Sequence, residues 1–274
     1  EDKPMPRNIQ HYAQLAEQTA KQITGSYNDW TAFLTTAARL YKYPYHEQLM
    51  IYAQRPDATA CADYDLWNKT LRRYVRRGAK GIALVDDSGD APRLRYVFDV
   101  SDTGGRENSR RPFLWEYRPE HTNAVAEALE NQFLINGDNG IDEQLEEIAG
   151  QLANEYWNEH KRDLINIVDD SFLEDYDEFN IGAQFRTAAT VSIAYSLMSR
   201  CGLAPEEYFE PEDFLSIFDF NTPATMTFLG TAVSDANQQV LRQIEIAIKN
   251  YERSKAHEQP NLQPERRLSD TRPD

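Results

Sequence analysis

KTLRRYVRRGAKGIALVDDSGDAPRLRYVFDV, residues 69–100, carries both the charge and the pattern on which a reading of this chain turns. Its first twelve residues hold six cations (Lys69, Arg72, Arg73, Arg76, Arg77 and Lys80) and no acid, inside a protein whose formal net charge is −16. A local reversal of charge that steep suits an anion, above all a nucleic-acid backbone. At 100° per residue, Trp67, Leu71, Tyr74 and Val75 fall on one side of a helix, and Lys69, Arg72, Arg73 and Arg76 on the other, with Arg77 just beyond. The spacing therefore predicts an amphipathic helix ending at Gly78, with Lys80 in the turn that follows. GIALVD and RLRYVFDV then read as a hairpin around DSGDAP. Leu94, Tyr96, Phe98 and Val100 are expected to face inward, with Arg93, Arg95 and Asp99 outward.

Working outward, residues 8–24 are helical by composition, and a second helix is expected from Asn28 or Asp29, with Trp30, Phe33, Leu34, Ala37, Leu40 and Tyr41 on its apolar face. Pro44 and Pro56 bracket a short third helix at 45–54. Beyond residue 118 the pattern changes. Helices are expected at 122–134, 141–168, 185–201 (ending at Gly202) and 233–253, and no strand is expected. Charge divides at the same place, with 18 basic against 15 acidic residues in 1–118 and 11 against 30 in the remainder. The expectation is an α+β domain at 1–118, containing helices and a small antiparallel sheet, then an all-α acidic domain at 119–258 and a polar linker at 259–274. No apolar run approaches the ~20 residues of a membrane span, and the cytoplasm is the expected location. The remaining domains of a longer polypeptide are further expected partners.

Chemistry is sought next. His46-Glu47-Gln48-Leu49-Met50 falls one ligand short of HExxH, because Met50 stands where the second His belongs. Phosphate-cradling glycine loops and a nucleophile elbow are absent, and Cys61 and Cys201 lack partners at metal-ligand spacing. No catalytic residue, metal or cofactor is expected. The acids Asp169, Asp170, Glu174, Asp175, Asp177 and Glu178 read as a solvated run, with mimicry of DNA charge as the alternative. Around Lys42, by contrast, Tyr41, Tyr43 and Tyr45 are read as exposed. With the basic stretch and Arg95 they make the recipe for sequence-tolerant single-strand binding, cations for phosphates and rings for bases.

ARLYKYPYHEQLMIYAQRPDATACADYDLW, RRYVRRGAKGIALVD and LRYVFDVSDT, spanning residues 38–103, resemble the N-terminal single-stranded-DNA-binding domain of the ArdC antirestriction family, in the version that heads large helicase/methylase proteins of conjugative elements. AYSLMSRCGLAPEEYF and FNTPATMTFLGTAVSD resemble the helical region that follows there. The resemblance implies single-stranded DNA as the partner and a role in antirestriction or DNA protection. ArdC's second domain is a zinc metallopeptidase, but HExxH is missing here, so protease activity does not carry over. Two other readings stand beside it: an interaction or antirestriction module acting through the acidic half, and, more distantly, a degenerate metallopeptidase-like hydrolase.

Overall fold

Ser26, in extended backbone, opens the helix on which the whole core is built: its Oγ accepts the Asp29 N–H at 3.1 Å, starting that helix slightly earlier than expected. A computed structural model describes residues 7–89 and 91–258, so the proposed linker at 259–274 lies outside the described residues. The chain begins with α1 (Arg7–Ile23), α2 (Tyr27–Arg39) and α3 (Tyr45–Gln54). Five short strands follow: β1 (Cys61–Asp63), β2 (Tyr74–Val75), β3 (Ile82–Asp86), β4 (Arg93–Asp99) and β5 (Thr103–Gly104). The expected hairpin is present, with Ile82 opposite Val97 and Asp86 opposite Arg93, and β1 adds to its other edge to give the antiparallel order β1-β4-β3.

The pleat of β4 is the reverse of the expected one. Val97 and Asp99 are buried, Arg95 reaches Glu47 of α3, and Tyr96 stands 49% exposed on the other face. A shift of one residue exchanges the two faces of a strand, and here Asp99 decides the choice. Its carboxylate accepts the N–H groups of Thr59, Ala60 and Ser101 at 2.7, 3.0 and 2.9 Å, which ties the start of β1 to the end of β4. An acid with that many donors is most stable inside, where the donors need it.

The rear half is helical: α4 (Thr122–Phe133), α5 (Ile141–Ile165), α6 (Glu178–Cys201) and α7 (Pro223–Glu258), with 3₁₀ turns at Pro205–Glu207 and Pro211–Asp219. Asp177 caps α6, accepting from the Asn180 N–H at 2.8 Å, and Gly202 ends it in the left-handed region at φ 73°. α6 is buried on several sides and is the central helix. α7 starts ten residues before the expected 233, because Pro223 sits in its first turn, where a missing N–H costs nothing.

The protein is thus α+β followed by all-α, with no strand among the described residues after Gly104. The main core nevertheless draws on both sides of residue 118. Trp30, Phe33 and Leu34 pack with Phe185, Ala189 and Leu197 of α6, and the Trp30 indole N–H donates to Ser192 Oγ at 3.0 Å. α3 meets α7 at Gly230, where a Cβ would lie 2.2 Å from the Tyr45 ring. A smaller cluster of Leu40, Met50, Ile51, Ile82, Leu84 and Val97 lies between the sheet and the front helices. Residue 118 therefore marks a change in secondary structure and charge, while the packing runs through it.

Candidate nucleic-acid interface

The expected basic helix does not form. Residues Leu66–Thr70 make a single π-helical turn, closed by the Leu71 N–H on Leu66 O at 3.0 Å. Arg72 then adopts φ 54°, and the chain enters β2, paired with β5 through Tyr74 opposite Gly104 and Val75 opposite Thr103. Leu and Arg favour helix, but non-local bonds take the backbone groups a helix would use. Leu71 O accepts from the Arg110 N–H at 2.9 Å, Arg72 O from Ser109 Oγ at 2.6 Å, and the Arg76 N–H donates to Asp102 O at 2.8 Å. Trp67 anchors the turn, buried, with its indole N–H on Phe98 O at 2.9 Å. Gly78 does take the left-handed conformation, φ 88°, in the turn leading to β3.

This fold-back changes which cations are free. Arg72, Arg77 and Lys80 are exposed, and their side chains make no hydrogen bond or ion pair among the described residues. Arg73 is half-buried, its Nε donating to Thr103 Oγ1 at 2.9 Å, and Arg76 gives one donor to Ser101 O at 3.1 Å. Lys69 is exposed but paired with Asp65 at 2.7 Å, so the stretch is less uncompensated than its sequence suggests. Tyr74, expected inside, is 41% exposed; its ring lies against Gly104, where a Cβ would approach to 2.3 Å, and the Arg106 guanidinium sits 5.8 Å from its centroid.

The strap at 105–111 that holds the strip in place also enlarges it. Arg106, Arg110 and Arg111 are exposed there, and sequence reasoning passed over all three. Their signal was present as three arginines in RENSRR, set among turn-forming residues; what brings them to the strip is the bonding of Ser109 and Arg110 to residues 71 and 72. The exposed cations are thus Arg72, Arg76, Arg77 and Lys80 along the strip and Arg106, Arg110 and Arg111 on the strap bonded to its start, with one exposed acid, Glu107, among them and the exposed Tyr74 ring beside Arg106. Tyr96 adds a second exposed ring on the outer face of β4.

Other expected contacts are placed elsewhere. Tyr41 and Tyr45 are each only 3% exposed, and half-buried Tyr43 donates its hydroxyl to Cys61 O at 2.8 Å. Their segment joins two helices whose apolar faces pack on the rear half, so the rings are core. Burial pushes all three phenols well above their ordinary range. Lys42 is exposed but paired with Glu245 of α7 at 2.8 Å, and Arg95 is taken by Glu47, on the face of β4 away from Tyr96.

Among the described residues, one group of three His and acidic side chains, Glu120, His121 and Glu252, brings its possible ligand atoms within 4.8 Å of one another. His121 is buried, Nδ1 accepting the Arg118 N–H at 3.1 Å and Nε2 meeting Glu252 Oε1 at 3.0 Å. A lone pair on Nδ1 puts the proton of a neutral ring on Nε2, so the atom facing Glu252 is a donor, and the histidine holds α7 against the start of α4. Glu47, the would-be base of the HExxH remnant, is bound to Arg95. No helix among the described residues is long and apolar enough to cross a membrane.

No protein-family model matches the chain, and neither a curated protein nor a solved structure is significantly similar to it.

Proposed function

We propose that this chain is a non-catalytic single-stranded-DNA-binding module of a mobile-element protein, serving antirestriction or DNA protection. The observation that carries the binding reading is the surface of unpaired cations, Arg72, Arg77, Lys80, Arg106, Arg110 and Arg111, around the exposed Tyr74. Arginines neutralise phosphates without reading sequence, and an unstacked base finds a ring beside them; a duplex, with its bases stacked inside, cannot use the ring. The resemblance of residues 38–103 to the ArdC domain supports the same ligand and is the ground for the mobile-element setting.

Labelled single- and double-stranded oligonucleotides titrated across a salt series test it. The affinity for single strands falls linearly on a log–log plot, and Arg72→Glu/Arg77→Glu/Lys80→Glu flattens the slope by about 2, at roughly 0.7 per phosphate contact. Equal affinity and slope for wild type and variant overturn the reading.

One observation favours a second reading, a protein-docking surface in the acidic half. Phe172 and Phe179 are 64% and 75% exposed, the first within and the second just after the acidic run Asp169–Glu178, an unusual position for apolar rings. Inhibition of a restriction enzyme by the full chain, lost in Phe172→Ala/Phe179→Ala, is its expected signature; no inhibition at saturating protein removes it.

A further inference from the structure

A second cationic feature lies where the two halves meet. Arg39 and Leu40 at the end of α2, residues 41–43, residues 59–61 at the start of β1, the segment 113–115 and Arg200 near the end of α6 enclose a cavity of about 110 Å³. Arg200 crosses this interface with its guanidinium stacked on the Trp115 ring, 3.5 Å from the centroid, and one terminal nitrogen on Trp115 O at 2.9 Å. Its Nε is buried and has no partner. Arg39 donates Nε to Ala58 O and a terminal nitrogen to Thr36 Oγ1, both at 3.0 Å. Neither arginine is in an ion pair with any described residue. The carboxylate nearest in role, Glu245, is already held by Lys42 at 2.8 Å and by the Tyr41 hydroxyl at 2.6 Å.

Two guanidiniums and an ammonium stand around the cavity against two carboxylates, Glu245 and Asp99, both already engaged, Asp99 by the Thr59 and Ala60 N–H groups behind the wall, which leaves an excess of one positive charge in a partly desolvated place. Burial pulls the Arg200 guanidinium below its ordinary value; Glu245 acts against that and Arg39 adds to it. A partly desolvated guanidinium with incomplete hydrogen bonding is costly to a fold, and the terminal nitrogens of an arginine fork are suited to a tetrahedral oxyanion. The aromatic walls, Tyr41, Tyr43 and Trp115, hold the cations in place. At about 30 Å³ per water the space holds the equivalent of three or four waters, enough for one phosphate group and too little for a nucleoside.

We propose that this cavity is a phosphate site, with Arg200 as principal ligand and Arg39 and Lys42 supplying the second and third charges. The phosphate comes either free from solution or as the terminal group of a DNA strand. The second source rests on the single-strand reading; the first does not. The chain itself links the two features, since Arg110 and Arg111 at the basic strip lead within two residues to Phe113 at the cavity wall. A strand lying along the strip would then have its end phosphate in the cavity.

The experiment uses the full chain in chloride buffer, titrated with inorganic phosphate and, separately, with short single strands bearing a 5′-phosphate, a 3′-phosphate or neither. Saturable phosphate binding that weakens about tenfold or more in Arg200→Gln supports the site, that being the value of one charge-assisted hydrogen bond. Preference for one phosphorylated end, erased by Arg200→Gln but not by Arg72→Glu/Arg77→Glu, identifies the strand terminus as the source. Lys42→Met, at the exposed edge of the cavity, repeats the test should Arg200→Gln fail to fold, which circular dichroism reveals. Wild type that binds neither free phosphate nor a phosphorylated end in preference, or variants that bind as wild type does, overturn the proposal. Phosphate binding with no affinity for unphosphorylated strands leaves the site standing and removes the single-strand reading.

Discussion

Residues 41–45, YKYPY, and residues 72–80, RRYVRRGAK, have the same ingredients, tyrosines beside cations, and meet opposite fates. In the first, Tyr41 and Tyr45 are sealed in the main core and Lys42 is paired with α7. In the second, Tyr74 stands out of the surface and the side chains of Arg72 and Arg77 have no partner among the described residues. The difference comes from neighbours. The first segment joins two amphipathic helices whose apolar faces need covering, and the five-residue turn between them is carried inside. The second contains a two-residue strand whose one strand partner among the described residues is β5, which leaves its Tyr74 ring 41% exposed. Aromatic-plus-basic composition therefore marks a candidate ligand surface only after the packing of the flanking elements is known.

The largest expected effect tests the buried side of this contrast. Tyr45→Ala removes a ring wedged between α3 and Gly230 of α7, and chemical denaturation should show a loss of about 3–5 kcal/mol, the range for buried aromatic truncation. Single-strand affinity of the folded protein should stay as in wild type; a matching loss of affinity at unchanged stability would mean that the ring contacts DNA after all.

Asp99 holds the frame between the two segments. Burial alone raises its carboxyl, but the donors, Ser101 first and then the Thr59 and Ala60 N–H groups, outweigh burial and leave it below the ordinary carboxylate value. A depressed acid contributes stability above its unfolded pKa, near 3.9, and that contribution is lost as pH falls through the folded value. Asp99→Asn should cost about 1–3 kcal/mol near neutrality, with the gap to wild type closing in acid; a gap that widens in acid contradicts the assignment.

On the exposed side, Tyr74→Ala should weaken single-strand binding by about 1–3 kcal/mol, the value of one stacked base, with thermal stability little changed. Tyr45→Phe separates ring from hydroxyl. The Tyr45 Oη is buried without a partner, so its removal should leave stability unchanged or raise it by up to about 1 kcal/mol in the same denaturation assay. The smallest effect belongs to Lys69→Ala, whose charge is already shared with Asp65; it should reduce affinity less than Arg77→Ala at equal salt, and the reverse order would show the Asp65 pair opening on binding.

Much of the fold was legible because local patterns carried it. Pro44 and Pro56 delimit α3, GIALVD and RLRYVFDV pair as a hairpin, and Gly202 ends the central helix. The candidate site was legible in composition and misplaced in geometry. Helical spacing put Tyr74 inside and grouped the arginines on one face, whereas the 103–111 strap, thirty residues further on, supplies the bonds that turn the chain into a strand. Period-2 alternation likewise put Tyr96 inside, and the hydrogen bonds collected by Asp99 reversed it.

The amino-acid sequence by itself determined the order of helices and strands and the segregation of charge, because turn residues, caps and amphipathic periods act within a few residues of one another. Tertiary structure alone decided which tyrosines are core, which arginine side chains are free, and that Arg200 and Arg39 line one cavity. Those facts depend on contacts between residues up to two hundred positions apart, such as Tyr41 with Glu245, and no local pattern encodes a partner that distant.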